Sequence, residues 1–169
     1  VSVGDVNNDG LEDIFFTGNM VANKLYLNKG NLEFEDISES AGISGDDRWD
    51  SGTTFVDINQ DGYLDIYCSV GGKNGPNNNV LYINNQDNTF TEKAAEYGID
   101  CDGISMQSTF FDYDKDGDLD LYVINYPPTS FTAPVEYYQY MLDNHEIKDS
   151  DRLYRNDNGK FTDVTVEAG

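Results

Sequence analysis

An all-β fold of consecutive four-stranded antiparallel sheets is predicted by three observations. One acidic loop pattern occurs three times, a β-branched and aromatic run follows each copy, and a further pair of strand-like runs follows at a regular place. The loops are Asp5-Val-Asn7-Asn-Asp9-Gly10-Leu11-Glu-Asp13, Asp57-Ile-Asn59-Gln-Asp61-Gly62-Tyr63-Leu-Asp65 and Asp112-Tyr-Asp114-Lys-Asp116-Gly117-Asp118-Leu-Asp120, each reading D-x-[DN]-x-D-G-x-x-D.

Taken in order, each unit starts with a strand, a, that leads into the loop. Ile14-Phe-Phe, Ile66-Tyr-Cys and Leu121-Tyr-Val leave the loops as strand b, because β-branched and aromatic runs suit a pleated, half-buried surface. Leu25-Tyr26-Leu-Asn28, Leu81-Tyr82-Ile-Asn84 and Leu153-Tyr154-Arg-Asn156 form strand c. A polar turn then leads to strand d at Phe34-Glu-Asp-Ile, Phe90-Thr-Glu and Phe161-Thr-Asp-Val, and each unit closes on Ala41-Gly42, Tyr97-Gly98 or Ala168-Gly169. The loops start 52 and 55 residues apart, near the period of four-stranded propeller blades. The chain therefore reads as one partial β-propeller of about three blades, at about 1–43, 52–99 and 106–169. Closing a ring takes about four to eight blades, so these three are expected to belong to a larger one. The first unit lacks most of its leading strand.

Composition narrows the function. Among 169 residues, 10 Lys and Arg face 32 Asp and Glu, a net charge of −22 that excludes a nucleic-acid binder, since phosphate recognition needs clustered cations. Hydrophobic residues at 38% and aromatics at 13% are enough to fill a core, unlike the makeup of an acidic disordered tail. No apolar run approaches the ~18 residues of a transmembrane segment.

The loop pattern carries the chemistry. Oxygen-bearing side chains at positions 1, 3, 5 and 9, a glycine at position 6 for the sharp turn, and the position-7 carbonyl of Leu11, Tyr63 or Asp118 can wrap one hard cation. Calcium fits best: magnesium keeps several waters in a small octahedral shell, and zinc takes His or Cys, which these loops lack. About three Ca2+ sites are expected, ligated by Asp5, Asn7, Asp9, Leu11 and Asp13; by Asp57, Asn59, Asp61, Tyr63 and Asp65; and by Asp112, Asp114, Asp116, Asp118 and Asp120. An EF-hand is excluded, because position 12 is Phe16, Cys68 or Val123 instead of a bidentate Glu, and a strand leaves the loop instead of a helix. Asp-Asn-Gly clusters also form plain turns, but three copies at one spacing favour the metal.

These residues resemble the FG-GAP or VCBS type of β-propeller repeat, the family that includes the integrin α-subunit head. The phrase from Asp151 to Gly169 is similar to the branch containing cartilage acidic protein and ASPIC/UnbV-type surface proteins. The resemblance implies a calcium-stabilised, secreted or cell-surface propeller, usually seven-bladed, that serves binding or assembly. It implies no substrate, and the long insertion in the third unit departs from the simplest repeat.

Strand parity separates two faces. The a-to-b loops and c-to-d turns lie at one end of the strands, so the b-to-c connections and blade-to-blade connectors lie at the other. From the last loop Asp to the Leu of strand c the separations are 12, 16 and 33 residues, so length varies on the face opposite the metal loops, where a partner is expected. The 33-residue connection carries Tyr137, Tyr138 and Tyr140 on a short helix expected over Val135 to Leu142; these rings suit recognition of protein or glycan, or anchor the loop. Asn74, Pro76 and Asn77 to Asn79 read as spacer. Trp49, in a blade connector on the same face, suits stacking on a sugar ring or another aromatic, or a wedge between blades. His145 lacks both a nucleophile motif and a second His, and reads as a loop residue. Cys68 and Cys101, the only cysteines, fit either one disulfide or two buried small side chains.

The leading function is a non-catalytic, calcium-binding propeller outside the cell or at its surface, binding a protein or glycan. A part in a membrane-associated assembly is a further reading. The alternative is a piece of a propeller-fold polysaccharide-degrading enzyme, whose catalytic carboxylates would lie outside this chain, since the patterned ones here are assigned to metal.

Overall fold

The computed structural model describes residues 1–45, 47–72, 77–126, 133–144 and 150–169. Three four-stranded antiparallel sheets follow one another along the chain, each in simple up-and-down order. The first holds β1 (Ser2–Gly4), β2 (Asp13–Phe16), β3 (Lys24–Asn28) and β4 (Phe34–Asp36). The second holds β5 (Asp50–Val56), β6 (Asp65–Val70), β7 (Val80–Asn84) and β8 (Phe90–Glu92). The third holds β9 (Ser105–Phe111), β10 (Asp120–Asn125), β11 (Arg152–Asn156) and β12 (Phe161–Asp163). The second sheet thus starts two residues before the expected 52, and β1 has three residues where β5 and β9 have seven.

The period-2 alternation of strands explains how the sheets stack. Ile66 and Cys68 of β6 pack with Phe15, Leu25 and Leu27 of the first sheet, whereas Tyr67, between them, packs with Leu121, Val123 and Tyr154 of the third. The middle sheet is therefore covered on both faces, and every residue of β6 and β7 is buried. The flanking sheets alternate instead: Phe15 is fully buried while Phe16 is 41% exposed, and Val123 is fully buried while Ile124 is 43% exposed. This is the layering of adjacent propeller blades. Each fully covered Leu, Ile or Phe contributes roughly 1.5–3 kcal/mol relative to exposure. The buried Tyr67 hydroxyl donates to the Ile99 carbonyl at 2.7 Å, which satisfies its one polar atom.

Among the described residues there are three short helices, of which the sequence predicted one. α1 (Ala94–Tyr97) and α3 (Thr165–Ala168) fill the stretch before the closing small residues, and Gly98, at φ 75°, caps α1 in the left-handed region. α2 (Val135–Asn144) covers the expected Val135 to Leu142 and runs two residues further. Among the described residues no helix is long and apolar enough to cross a membrane. Cys68 and Cys101 are both free and buried, and they belong to the two different inter-sheet cores, so the chain carries two small buried thiols and no disulfide. Burial pushes the Cys68 thiol well up from its ordinary value.

Candidate metal centre

All three acidic loops join the first strand of a sheet to the second, and they fold alike. Position 4 and position 6 adopt left-handed backbone: φ is 58° at Asn8 and Gln60 and 68° at Lys115, then 87°, 87° and 100° at Gly10, Gly62 and Gly117. These two reversals curl the loop so that the odd-numbered side chains converge, and glycine takes the second at no steric cost. The position-1 carboxylate then accepts backbone N–H groups from across the loop. Asp5 accepts from Asp9 at 3.1 Å and Gly10 at 2.7 Å, Asp57 from Asp61 at 3.0 Å and Gly62 at 2.9 Å, and Asp112 from Lys115 at 2.7 Å and Gly117 at 3.2 Å. The position-5 carboxylates Asp9, Asp61 and Asp116 each accept the N–H of position 7, at Leu11, Tyr63 and Asp118, at 2.9 Å.

The third loop draws the carboxylate oxygens of Asp112, Asp114 and Asp116 within 4.8 Å of one another, all exposed. In the first two loops the position-3 residue is an amide, and Asn7 and Asn59 donate to Asp9 and Asp61 at 3.1 Å. The Asp114 carboxyl is held above the ordinary carboxylate range by desolvation in the loop, and then by the charges of Asp116, Asp120 and Asp112. A hard divalent cation fits this donor set, since only oxygens are offered and a positive charge relieves the crowding.

Position 9 has a second task that the pattern alone does not reveal. Asp13, Asp65 and Asp120 are fully buried at the first residue of strands β2, β6 and β10. One carboxylate oxygen accepts the N–H of position 2, from Val6 at 2.9 Å, Ile58 at 3.1 Å and Tyr113 at 2.7 Å. The other accepts the N–H of the strand-c asparagine, from Asn28, Asn84 and Asn156, each at 2.8 Å. Each oxygen retains a lone pair for a cation. Burial pushes Asp65 up to about 6 despite these two donors, with Asp61 and Asp57 adding to the rise, and Asp13 moves the same way for the same leading cause. Among the described residues no cationic side chain is paired with Asp13, Asp65 or Asp120.

The same asparagines serve the loops through their side chains. Their amides donate to the position-8 carbonyls, Asn28 to Glu12 at 3.0 Å, Asn84 to Leu64 at 3.1 Å and Asn156 to Leu119 at 3.1 Å. Their side-chain oxygens accept from the c-to-d turns, at Gly30, Gln86 and Gly159. The L-Y-x-N repeat was legible as a strand; its asparagine is a brace that locks loop to turn.

At the other end of the strands lie the predicted recognition residues. Trp49 is 47% exposed and so is not wedged between blades; its backbone forms an antiparallel bridge with Asn19. Beside that bridge Met20 and Val21 are exposed, with the Met20 N–H donating to the Arg48 carbonyl at 2.8 Å. Two consecutive apolar residues in a polar connection were the available signal for these. Tyr137, Tyr138 and Tyr140 are exposed on α2, with the first two rings edge to face at 6.2 Å. His145, Asn74 and Pro76 lie outside the described residues.

Stacked four-stranded sheets, each with an acidic loop between its first and second strands, define the class: blades of a β-propeller with oxygen-rich turns on one face. Residues 5–68 and 69–123 match the FG-GAP-like repeat, more than half of the chain, and the protein belongs to that family. It is also similar to cartilage acidic protein 1 of Xenopus tropicalis, 28% identical over 125 residues that make up 74% of this chain and 19% of that protein. The human protein of that name is 27% identical over 133 residues, 79% of this chain and 20% of the relative, and the mouse protein 36% over 83 residues, 49% and 12%. The matched region thus spans no more than a fifth of these relatives' length.

Proposed function

We propose that this chain is part of an extracellular or cell-surface propeller that binds calcium through its three acidic loops and presents the opposite face to a protein or glycan, without catalysis. The observation that carries the reading is the converging oxygen set of Asp112, Asp114 and Asp116, set in a backbone curl that the other two loops repeat. Asp112, Asp114, Asp116 and the Asp118 carbonyl would hold the ion in the third loop, with the equivalent residues in the others. Bound there, calcium would neutralise carboxylates gathered at the junction of strands a and b and so brace each blade.

Extracellular modules of this kind work at about 10⁻⁴–10⁻³ M calcium, a level met outside cells, which supports export. Similarity to proteins named cartilage acidic protein 1 agrees with that placement. The partner face is favoured by chemistry: the metal end is crowded with carboxylate, whereas the other end exposes Trp49, Met20, Val21 and the α2 tyrosines. Catalysis is disfavoured because the patterned carboxylates are engaged by loop and strand N–H groups, leaving no free acid and base pair among them.

Thermal unfolding with and without chelator tests the core of this reading. Millimolar calcium should raise the melting temperature and exhaustive EGTA lower it, because an ion that binds only the folded state stabilises it by mass action. Identical melting curves in the two conditions would overturn the calcium assignment.

A further inference from the structure

The residue at position 4 of the first and second loops is not a ligand, yet its side chain reaches the next loop along the propeller. The Asn8 amide donates to the Gly62 carbonyl at 3.0 Å. The Gln60 amide donates to the Gly117 carbonyl at 3.1 Å and to the Asp118 carboxylate at 3.2 Å. Donor and acceptor thus occupy the same loop positions at both junctions, 4 and 6, across 54 and 57 residues of sequence.

Position 4 lies between two oxygen donors, Asn7 and Asp9 in the first loop and Asn59 and Asp61 in the second. Position 6 likewise lies between the position-5 carboxylate and the position-7 carbonyl, Asp61 and Tyr63 or Asp116 and Asp118. Fixing either loop around an ion therefore fixes one partner of the hydrogen bond, and that bond holds the neighbouring loop in its curled form. The left-handed backbone at Asn8 and Gln60 turns their side chains away from the ring of oxygens and toward the next blade.

We propose that Asn8 and Gln60 are positioning residues that couple calcium binding between adjacent loops, so that filling one loop tightens the next. The inference rests on the calcium reading. The donors are uncharged amides and the bond shared by both junctions goes to a backbone carbonyl, so that bond transmits order, and order imposed by one ligand lowers the cost of ordering for the second. Coupling of this kind is reciprocal. A neutral hydrogen bond of ordinary net strength corresponds to a factor of about three to five in affinity.

Calcium titration of the whole chain, followed at the backbone amide resonances of Gly10, Gly62 and Gly117, reads the three loops separately. Emptying the third loop with Asp112→Asn should raise the half-saturation of Gly62 about threefold while Gln60 is present, and leave it unchanged in a Gln60→Met background. An equal shift in both backgrounds, no shift in either, or tighter binding at Gly62 overturns the coupling. Should Asp112→Asn fail to fold, Gln60→Met alone decides: half-saturation must rise at both Gly62 and Gly117, and by less at Gly10, which feels the change only through the occupancy of the second loop, and unchanged values at Gly62 and Gly117 overturn the proposal. Failure of all three glycines to saturate in millimolar calcium instead removes the calcium reading itself, and the coupling falls with it.

Discussion

Replacing Asn84 with alanine tests whether the strand-c asparagines brace the blades. The Asn84 amide donates to Leu64 in its own blade at 3.1 Å and, uniquely among the three braces, to the Val6 carbonyl of the preceding blade at 2.8 Å. Its side-chain oxygen accepts from the Gln86 N–H at 2.9 Å. The residue is 4% exposed, so water cannot replace these bonds without repacking. Three lost hydrogen bonds at about 1 kcal/mol each, plus a stranded Val6 carbonyl at about 1 kcal/mol or more, give about 4 kcal/mol. For a chain of this size that is a fall in melting temperature of about 8–16 °C. Asn28→Ala removes only bonds to Glu12 and Gly30, near the surface, and should cost about half as much. Both variants keep the backbone N–H that donates to Asp65 or Asp13, so calcium affinity should change little in either. Calorimetry in saturating calcium is the assay. If Asn84→Ala melts within about 2 °C of Asn28→Ala, the contact to the preceding blade contributes nothing and the reasoning is wrong.

Three further outcomes are expected. The third loop, with Asp112, Asp114, Asp116 and Asp120 where the others each have one Asn, should release calcium last as chelator is added, since carboxylate count tunes affinity; retention by the first or second loop would contradict this. Tyr137→Ala, Tyr138→Ala and Tyr140→Ala should weaken partner binding, by about thirtyfold where one ring is a central anchor, while leaving melting in calcium nearly unchanged, because all three rings are exposed; normal binding with lowered melting would mean that they only pack the connection. The Asp36 carboxyl, held down to about 2 by hydrogen bonds from Lys24 and then Ser38, should titrate there by NMR and move upward in Lys24→Ala. Because its folded value is depressed, its stabilising effect is present above the unfolded value of 3.8 and fades as pH falls through about 2; a midpoint near 3.8 in the unaltered protein would refute the pairing.

Much of the fold was legible because period-2 alternation and turn chemistry act locally. The Asp-Gly loops and the L-Y-x-N strands each announce themselves within nine residues. What stayed hidden depends on neighbours distant in the chain. Asp65 read as a ligand like Asp61, yet its place at the first residue of β6 buries it against the Asn84 N–H, 19 residues on. Position 4 carries no signal in the loop pattern, because its acceptor lies more than 50 residues away. The fate of Trp49 could not be read either, since wedged and exposed tryptophans share the same local sequence; the bridge to Asn19 pins its backbone at the rim and leaves the ring half exposed.

The long third connection shows how one end of a blade can vary while the other stays fixed. At the end away from the loops, the residue before strand c closes the sheet by accepting a backbone N–H near the end of strand b: Asn23 from Gly18 at 2.7 Å, Asn79 from Val70 at 2.8 Å and Asp151 from Asn125 at 2.9 Å. At the loop end, the buried position-9 Asp and the strand-c Asn close the same strand pair. With both ends of the pair tied, chain inserted between them emerges beyond the tie and does not disturb strand register. The third blade uses this freedom most: α2 sits within its connection, yet Asp151 still binds Asn125 and also accepts from the Tyr122 hydroxyl at 2.8 Å. Entropy favours the arrangement, since doubling the length of a loop whose ends are already held adds only about 0.6 kcal/mol. The connector face can therefore change in length and composition without altering the acidic loops, which favours it as the place for the proposed partner.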